Sequence, residues 1–355
     1  MALITPINPT LIDLAKSLDP NGKIAAVAEI LNQTNEITRD GVFVEANNMT
    51  SHRITQRTGL PPVYWRMLNQ GIPPSTSTKA QVDETIGLLT SRVEIDRKEA
   101  TMSGNVNAYR ESEVAAHVEA LGQEWASTTF YGNHALNPEK FAGLSPRYSD
   151  PSAGNGQNII DGGGDNAAAV HTSIWLIGWS PQTCYYIYPR GSSLGIQHED
   201  LGQETIQQQD DSVAAQVTGQ PLRRLLALVD YLELDIGLAL KDWRYVVRIG
   251  NIEAAELAAL GDAQVHSAIT NILHSMAKAV ARIPTWGGIR PAFYMNRTAF
   301  SALQRIGMEK SAAVLRINDA VTQHGMNVDG MGNFMGVPVR LTDALLNTEE
   351  KLTFS

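Results

Sequence analysis

The chain has 355 residues, of which 43% are hydrophobic, so it can bury a substantial core in one or two domains. Its net charge of -9 argues against a reader of nucleic acids, because such a protein needs basic side chains to neutralise phosphate. A single cysteine, Cys184, excludes an intramolecular disulfide and a cysteine-rich metal site.

Residues 1–45 are predicted to form an arm rather than a globule. Short helices are expected at 9–17 and 23–33, with a turn at 19–22 between them. Two short helices bury little by themselves, so we expect them to dock on the body of the chain or on a neighbour. The segment lacks the pattern of a signal peptide, and no stretch of the sequence approaches the ~20 apolar residues of a membrane span. A soluble protein made in a reducing compartment is expected.

A long two-stranded hairpin is predicted next. Extended runs at 50–58 and 79–98 flank a segment with two Pro-Pro pairs, which is typical of a turn-rich tip. The hairpin is interpreted as polar on both faces, which does not suit a core, and an isolated two-stranded hairpin is only marginally stable. We therefore expect it to lie against a partner surface.

One long helix is predicted from residue 107 to 128, roughly 30 Å at about 1.5 Å per residue. Asn107 is the expected N-cap, and Gly132 is the expected stop. Four residues at helical spacing are expected to share its apolar face: Val114, Val118, Leu121 and Trp125. Because the helix has no second apolar face, we expect it to lie across other elements rather than pass through a core.

Residues 133–169 have the composition of a loop, with three consecutive glycines at 162–164. A loop of this length is usually functional or bound to a partner. Asp161 and Asp165 flank the glycines and offer two ligands for a cation. A flexible hinge is the more common use of such a run, because a calcium loop needs carboxylates at regular offsets.

The rest of the chain is predicted to alternate strands and helices. A hairpin is expected over 170–189, followed by polar turns at 191–212 and strands from 222 to 252 about a Lys241–Asp242 turn. The remaining predicted elements are helices at 262–282, 297–305 and 314–321 and strands at 292–295 and 334–341, the last with Gly336 and Pro338 indicating an edge or a kink.

No catalytic, cofactor or metal site is predicted. The eight histidines are scattered, and no His-Glu-x-x-His motif is present. His198, Glu199 and Asp200 form the group most similar to a ligand set, but adjacent residues rarely converge on one ion, so a solvated loop is the simpler interpretation. Cys184 lies among aromatic residues and is expected to be a small buried hydrophobe rather than a nucleophile.

Several segments carry a resemblance to a known family. They are SRVEIDRKEA at 91–100, TFYGNHALNPEKFAGL at 129–144, TSIWLIGWSP at 172–181, IYPRGSSLGIQHEDLG at 187–202 and LKDWRYVVRIGNI at 240–252. With the order of arm, hairpin, long helix and mixed body, they make the chain resemble the major capsid proteins of tailed double-stranded DNA bacteriophages, of the short-tailed kind with the Hong Kong 97-type fold. The resemblance implies an α+β fold.

The resemblance also implies a division of the chain. Residues 1–45 would be the N-terminal arm, and 46–104 the extended loop that lies over a neighbouring subunit. Residues 105–252 would form the peripheral domain with the long helix as its spine, and 253–355 would be largely the axial domain. The implied function is structural rather than enzymatic: pentamers and hexamers that assemble into the icosahedral virion shell around double-stranded DNA.

The implied partners are further copies of the chain, a separate scaffolding protein, a portal and a cement protein. The packaged DNA would be contacted non-specifically, no membrane is involved, and assembly would take place in the host bacterial cytoplasm. Some family members join subunits through a lysine of the extended loop, but nothing indicates a partner for Lys79, so no cross-link is expected. Deletion of residues 1–33 is expected to leave a folded subunit that assembles poorly.

Two alternatives stay open on the sequence. An encapsulin-like nanocompartment shell would share the fold and enclose a protein cargo instead of DNA. A metal-dependent hydrolase would need a convergent site around His198 or Asp161, which the metal content per chain would test.

Overall fold

The computed structural model describes residues 33–164, 170–208, 223–258, 263–308 and 333–354, which form a mixed α+β fold. The strands of these residues are β1 (Phe43–Glu45), β2 (Ser51–Gly59), β3 (Thr78–Asp96), β4 (Ile159–Asp161), β5 (His171–Trp179), β6 (Cys184–Tyr188), β7 (Gln197–Gln208), β8 (Arg223–Leu240), β9 (Val246–Glu253), β10 (Arg290–Met295), β11 (Asn333–Phe334) and β12 (Val337–Leu341). The helices are α1 (Ile37–Asp40), α2 (Arg97–Met102), α3 (Val106–Tyr131), α4 (Ala254–Ala258), α5 (Ala263–Arg282) and α6 (Arg297–Met308).

The chain divides into two compact units. Among the described residues, unit 1 contains Leu88–Gly122 and those of Ser193–Asp235, and unit 2 contains those of Gln33–Gly87, Gln123–Ser192 and Ile236–Ser355. The segment predicted as the peripheral domain is therefore shared between the units, and its boundary with an axial domain stays a prediction.

Unit 1 contains a strand that the sequence analysis assigned to polar turns. Strand β7 pairs antiparallel with β8, from Gln197↔Glu233 to Gln208↔Arg223, with a bulge at Asp200/Gly202. Polar residues suit β7 because its side chains are mostly exposed, whereas β8 supplies the apolar side chains. The core of unit 1 consists of Val93, Ile95, Ala100, Tyr109, Leu121, Leu228 and Leu232.

Strand β5 is central in unit 2, and all nine of its residues are buried. It pairs antiparallel with β9 on one edge and with β10 on the other, and β12 continues the sheet parallel to β10. Helices α5 and α6 pack onto this sheet through Ile272, Met276 and Leu303, which join Phe293 in the same core. The predicted helices at 262–282 and 297–305 are thus confirmed, while those at 9–17, 23–33 and 314–321 lie outside the described residues.

The hairpin predicted over 170–189 is wrong, although both of its strands exist. Strands β5 and β6 share one bridge, Trp179↔Cys184, and it is parallel. Strand β6 pairs instead with β1 and β8. A strand as buried as β5 needs neighbours on both edges, and the chain supplies them from β9 and β10, which are far away in sequence and invisible to a local pattern.

The long helix α3 is confirmed, but its predicted cap is wrong. The side-chain oxygen of Asn105 accepts a hydrogen bond from the Ala108 amide at 3.3 Å, so Asn105 is the N-cap and Asn107 lies in the first turn. Gly132 does follow the last helical residue, and a Cβ there would lie 2.4 Å from the Phe141 carbonyl oxygen. Of the residues predicted to share the buried face, Val118 is 37% exposed.

The strand predicted at 334–341 is divided into β11 and β12. Met335 and Gly336 adopt positive φ angles of 51° and 84° and form a tight turn between the two strands. The glycine therefore marks a reversal of the chain, not the predicted edge or kink of one strand.

The glycines at 162–164 pack against β9 and are not the expected flexible hinge. The Gly162 amide donates to the Gly250 carbonyl at 2.8 Å, and the Gly164 amide donates to the Asn251 carbonyl at 2.8 Å. A Cβ on Gly162 would lie 2.7 Å from the Gly250 oxygen, so only glycine allows this approach of two backbones. Asp161 ends strand β4, and Asp165 lies outside the described residues.

Gly162→Ala should therefore destabilise the subunit by about 1–3 kcal/mol, because the added methyl group meets rigid backbone. Gly154→Ala is the matched control, since a Cβ there meets nothing within 4 Å. Alanine at this position lowers the conformational entropy of the unfolded chain. The free energy of unfolding should therefore stay unchanged or rise by up to about 1 kcal/mol. Urea unfolding of the unassembled subunits measures both, and equal midpoints for the two variants would contradict the packing described here.

Candidate assembly surfaces

The hairpin of β2 and β3 is held at its root by a buried ion pair in unit 2. The pairing runs from Ser51↔Thr85 near the root to Gly59↔Thr78 near the tip. Glu84, on β3, is 4% exposed and accepts two hydrogen bonds from Arg147, at 2.5 and 2.7 Å. The sequence predicted a hairpin that is polar on both faces, and at the root this prediction is wrong. The root adds Ile54 to an apolar cluster with Tyr185, Ile187 and Ala239.

Arg147 joins the hairpin to two other stretches of unit 2. Its guanidinium also donates to the carbonyl oxygens of Ala142 at 2.9 Å, Gly143 at 3.1 Å and Leu238 at 3.4 Å. Burial acts to lower the pKa of Arg147, but the hydrogen bonds and charge of Glu84 outweigh it and raise the pKa above its ordinary value. The guanidinium thus stays charged at the centre of the root.

The tip of the hairpin, residues 60–77, is the most exposed apolar part of the described chain. Trp65 is fully exposed, and Val63 and Leu68 are more than nine-tenths exposed. The exposed apolar side chains of the tip are Leu60, Val63, Tyr64, Trp65, Met67, Leu68 and Ile72. This surface was not predicted from the sequence, because the polar strands dominate the pattern of the hairpin, although seven large apolar residues lie between 60 and 72.

Residues 33–45 are attached to unit 2 rather than free of it. The Thr34 amide donates to Asp343 at 2.9 Å, and strand β1 pairs parallel with β6. Asp343 also accepts from Arg297 at 2.7 Å. Although burial acts to raise the pKa of Asp343, the bond from Arg297 holds it below its ordinary value. The helices expected in the first 33 residues precede this attachment.

The C-terminal segment is bound to the same unit by a second buried ion pair. Arg248 donates to Glu349 at 2.7 Å, and both side chains are less than a tenth exposed. Tyr131 donates to the other oxygen of Glu349 at 2.5 Å, and burial together with the Glu349 charge raises the pKa of Tyr131 far above its ordinary value. The Asn251 side chain bonds both backbone groups of Leu352, at 2.7 and 2.9 Å.

The residues most similar to a metal-ligand set are used in ion pairs within unit 1. His198 and Asp200 lie on β7, not on a solvated loop, and alternation along the strand directs Glu199 to the other face. His198 contacts Asp230 at 2.9 Å, and Arg110 contacts Asp230 at 2.8 Å and Asp200 at 2.6 Å. The bond from Arg110 lowers the pKa of Asp200. These contacts join β7 to β8 and to α3, which explains how β7 is held.

The described ranges contain no candidate metal centre. No group of three or more His, Cys, Asp or Glu side chains there is placed to hold a metal ion. Cys184 is fully buried in β6, and burial raises the pKa of its thiol to about 12, so it remains protonated near neutral pH. Lys79 is an exposed residue of β3 opposite Arg57.

Comparison with protein families decides the class. The model of the family described as major capsid protein GP7 matches residues 19–353. The chain belongs to this family. A chain from the cryo-EM structure of bacteriophage Epsilon15 is 26% identical, with a TM-score of 0.72 and 100% of both chains covered. A search of curated proteins found no match.

Two more distant structures are similar as well. A chain of the bacteriophage JBD30 capsid is 11% identical over 86% of this chain and 88% of that chain, with a TM-score of 0.41. The SrpI encapsulin of Synechococcus elongatus PCC 7942 is 9% identical over 64% of this chain and 93% of that chain, with a TM-score of 0.38. With TM-scores below 0.5, neither structure separates a phage capsid from a nanocompartment shell.

The family membership makes the chain a structural protein of a phage capsid shell, with the Hong Kong 97-type fold and no enzymatic role. The hydrolase alternative is thereby excluded. Within the helices that the structure describes, none is long and apolar enough to cross a membrane.

Arg147→Met should destabilise the unassembled subunit by about 3–5 kcal/mol, because it leaves Glu84 buried without its counter-ion. Arg147→Met combined with Glu84→Gln should recover part of this loss, since no unpaired charge remains. Arg53→Met is the matched control: it breaks the Arg53–Asp83 pair of the same hairpin, which is exposed, and should leave stability unchanged. Urea unfolding checks the series, and equal effects of the two single substitutions would refute the role of the root pair.

Proposed function

We propose that the chain assembles as pentamers and hexamers into an icosahedral shell that encloses double-stranded phage DNA. The observation that supports this most directly is the hairpin, which is fastened at a buried root and ends in an exposed apolar tip. Such an element gains little stability for its own subunit and suits contact between subunits. Repetition of weak contacts by symmetry then gives a strong closed shell.

The proposal assigns a role to each segment. Residues 46–104 are the extended loop that lies over a neighbour, and α3 is the spine of a peripheral domain at 105–252. Residues 253–355 are largely the axial domain. Within the N-terminal arm at 1–45, the attachment of residues 33–45 to unit 2 leaves the interlocking role to the preceding residues.

The charge of the chain supports a container for DNA. At a net charge of -9, the protein repels phosphate on average, so packaged DNA is contacted weakly and without sequence preference. A separate scaffolding protein, a portal and a cement protein are the further partners of this proposal, and the host bacterial cytoplasm is the site of assembly.

Negative-stain microscopy with sedimentation tests the proposal on the full chain, expressed alone and with its scaffolding protein. Closed polyhedral particles with vertices of five and faces of six subunits are the expected result. A chain that remains a 38.6 kDa monomer under both conditions would refute it. Particles that enclose a protein cargo instead of DNA in the cell that produces them would favour the nanocompartment.

Deletion of residues 1–33 should leave a folded subunit whose yield of closed shells falls on the order of tenfold, because multivalent contacts multiply. Deletion of 1–45 is the control: it also removes β1 and Ile37, which is fully buried and whose burial contributes about 1.5–3 kcal/mol. Circular dichroism and thermal unfolding should distinguish the two variants. Normal shells from the shorter deletion would contradict the role of the arm.

A further inference from the structure

The segment between Asp262 and Glu309 differs in charge from the rest of the chain. It contains five lysine and arginine residues and no aspartate or glutamate, whereas the whole chain has 28 basic and 37 acidic residues. Positive charge is therefore concentrated in one segment of an acidic protein. Clustered basic residues of this kind are typical of a surface that meets a polyanion. The five residues are Lys278, Arg282, Arg290, Arg297 and Arg305.

Three of these cations are exposed and unpaired. Arg297 is bound to Asp343 at 2.7 Å. Lys278, Arg282 and Arg290 are exposed instead, and no carboxylate of the described residues forms an ion pair with any of them. Their charges are therefore not neutralised within the described part of the subunit and remain available to a ligand.

Lys278 and Arg282 lie on one face of α5. They are four residues apart, and His274 precedes Lys278 by the same spacing, so three exposed side chains form a row along the helix. At about 1.5 Å per residue, the row repeats every ~6 Å. Each strand of a DNA duplex carries a phosphate about every 3.4 Å along its axis, so successive positions of the row match alternate phosphates.

A short, fixed loop places Arg290 near the end of this row. Helix α5 ends at Arg282 and strand β10 begins at Arg290, with residues 283–289 between them. The hydroxyls of Thr285 and Tyr245 form a hydrogen bond at 2.6 Å, which holds the loop against the residue that precedes β9. Arg282 and Arg290 are therefore held at the same end of the unit 2 sheet.

A fourth cation, Lys241, lies at this end of the sheet. Arg290 is paired with Trp179, the last residue of β5, and the Lys241 amide donates to the Thr183 carbonyl at 2.8 Å. Only the turn after β5 separates the two cations. The Lys241 ammonium donates to the side-chain oxygen of Gln182, which is a neutral partner. The four cations are called the basic surface below: Lys241, Lys278, Arg282 and Arg290.

A phosphate backbone suits the basic surface better than an acidic protein does. The surface presents positive charge, and a phosphate backbone presents only negative charge. Another copy of this chain would bring 28 basic residues together with its 37 acidic ones, so like charges would also meet. Lysine is in addition depleted at protein–protein interfaces. Double-stranded DNA, the polyanion inside the proposed shell, is therefore the expected ligand.

We propose that the basic surface binds the phosphate backbone of double-stranded DNA and faces the interior of the shell. The orientation rests on the proposed function, whereas the binding of phosphate does not. Contacts to phosphate carry no sequence information, so no base sequence is preferred. Because the rest of the acidic chain repels DNA, contact is confined to this surface and is weak for each copy.

Fluorescence anisotropy of a labelled DNA duplex with the unassembled full-length subunit tests the binding. The logarithm of the association constant should fall linearly with the logarithm of the salt concentration, with a slope of roughly 0.9 per phosphate contact. Arg290→Gln should lower that slope by about 1, and its combination with Arg282→Gln should lower it by about 2. Equal slopes for wild type and the double variant would overturn the proposal.

Arg190→Gln is the matched control for Arg290→Gln, because it removes the same charge from another exposed position of unit 2. Arg190 lies beside Glu45, whose carboxylate accepts a hydrogen bond from the Gly191 amide at 2.9 Å. Its substitution should leave the salt slope unchanged. An equal reduction by the two single substitutions would show a general effect of net charge and would refute a localised binding surface.

Assembly separates a DNA-binding surface from a contact between proteins. The double variant of Arg282 and Arg290 should form closed shells with the yield of wild type, and thermal unfolding of its subunits should be unchanged, since both side chains are exposed. Subunits that fold normally but no longer assemble would assign the surface to a protein partner, contrary to the proposal.

Closed empty shells test the orientation. A long DNA duplex added from outside should bind unassembled subunits but not intact shells, and binding should return when the shells are dissociated. Equal binding by intact shells would rule out an interior location. If wild type forms no closed shells with or without its scaffolding protein, the proposed function and the orientation both fail, and the anisotropy measurements decide the phosphate binding independently.

Discussion

Three stretches of unit 2 meet at Arg147, and its guanidinium holds all of them. It takes the Glu84 carboxylate from the hairpin and carbonyl oxygens from Ala142, Gly143 and Leu238. Placing two charges in a buried site costs desolvation, which is recovered only when the geometry is complete. Each stretch thus has one position in which the charges are satisfied, so the root fixes where the hairpin leaves the sheet without depending on the tip.

The same device fastens the C-terminal segment. Arg248 and Glu349 form a second buried pair, and Asn251 bonds Leu352 through both of its amide atoms, as a neighbouring strand would. Leu345 and Leu352 of this segment are buried, and the hydrogen bonds and the ion pair add to that apolar contact. Unit 2 therefore binds the hairpin root and the C-terminal segment by specific polar contacts around one apolar sheet, and it leaves the hairpin tip uncovered.

Periodicity revealed the elements but not their partners. The long helix, the β2–β3 hairpin and the strand character of β5 were readable because each depends on neighbouring residues. The pairing of β5 with β9 and β10 was not, since it joins residues 69 to 119 positions apart in the sequence. The root pair escaped for the same reason: Glu84 and Arg147 are 63 residues apart, and either one alone resembles an ordinary surface charge.

The distribution of charged side chains bears on how one copy of the chain can contact another. Many of the described acidic and basic side chains are paired inside their own unit, as Arg110 is with Asp230 and Arg248 is with Glu349. Charges that are already paired have little attraction left for a neighbour, and the remaining excess of -9 repels it. An apolar contact acts regardless of that excess and adds up over every copy of a symmetric shell. In the proposed shell, the net negative charge keeps DNA from adhering, and apolar side chains such as those of the exposed tip serve the contacts between subunits.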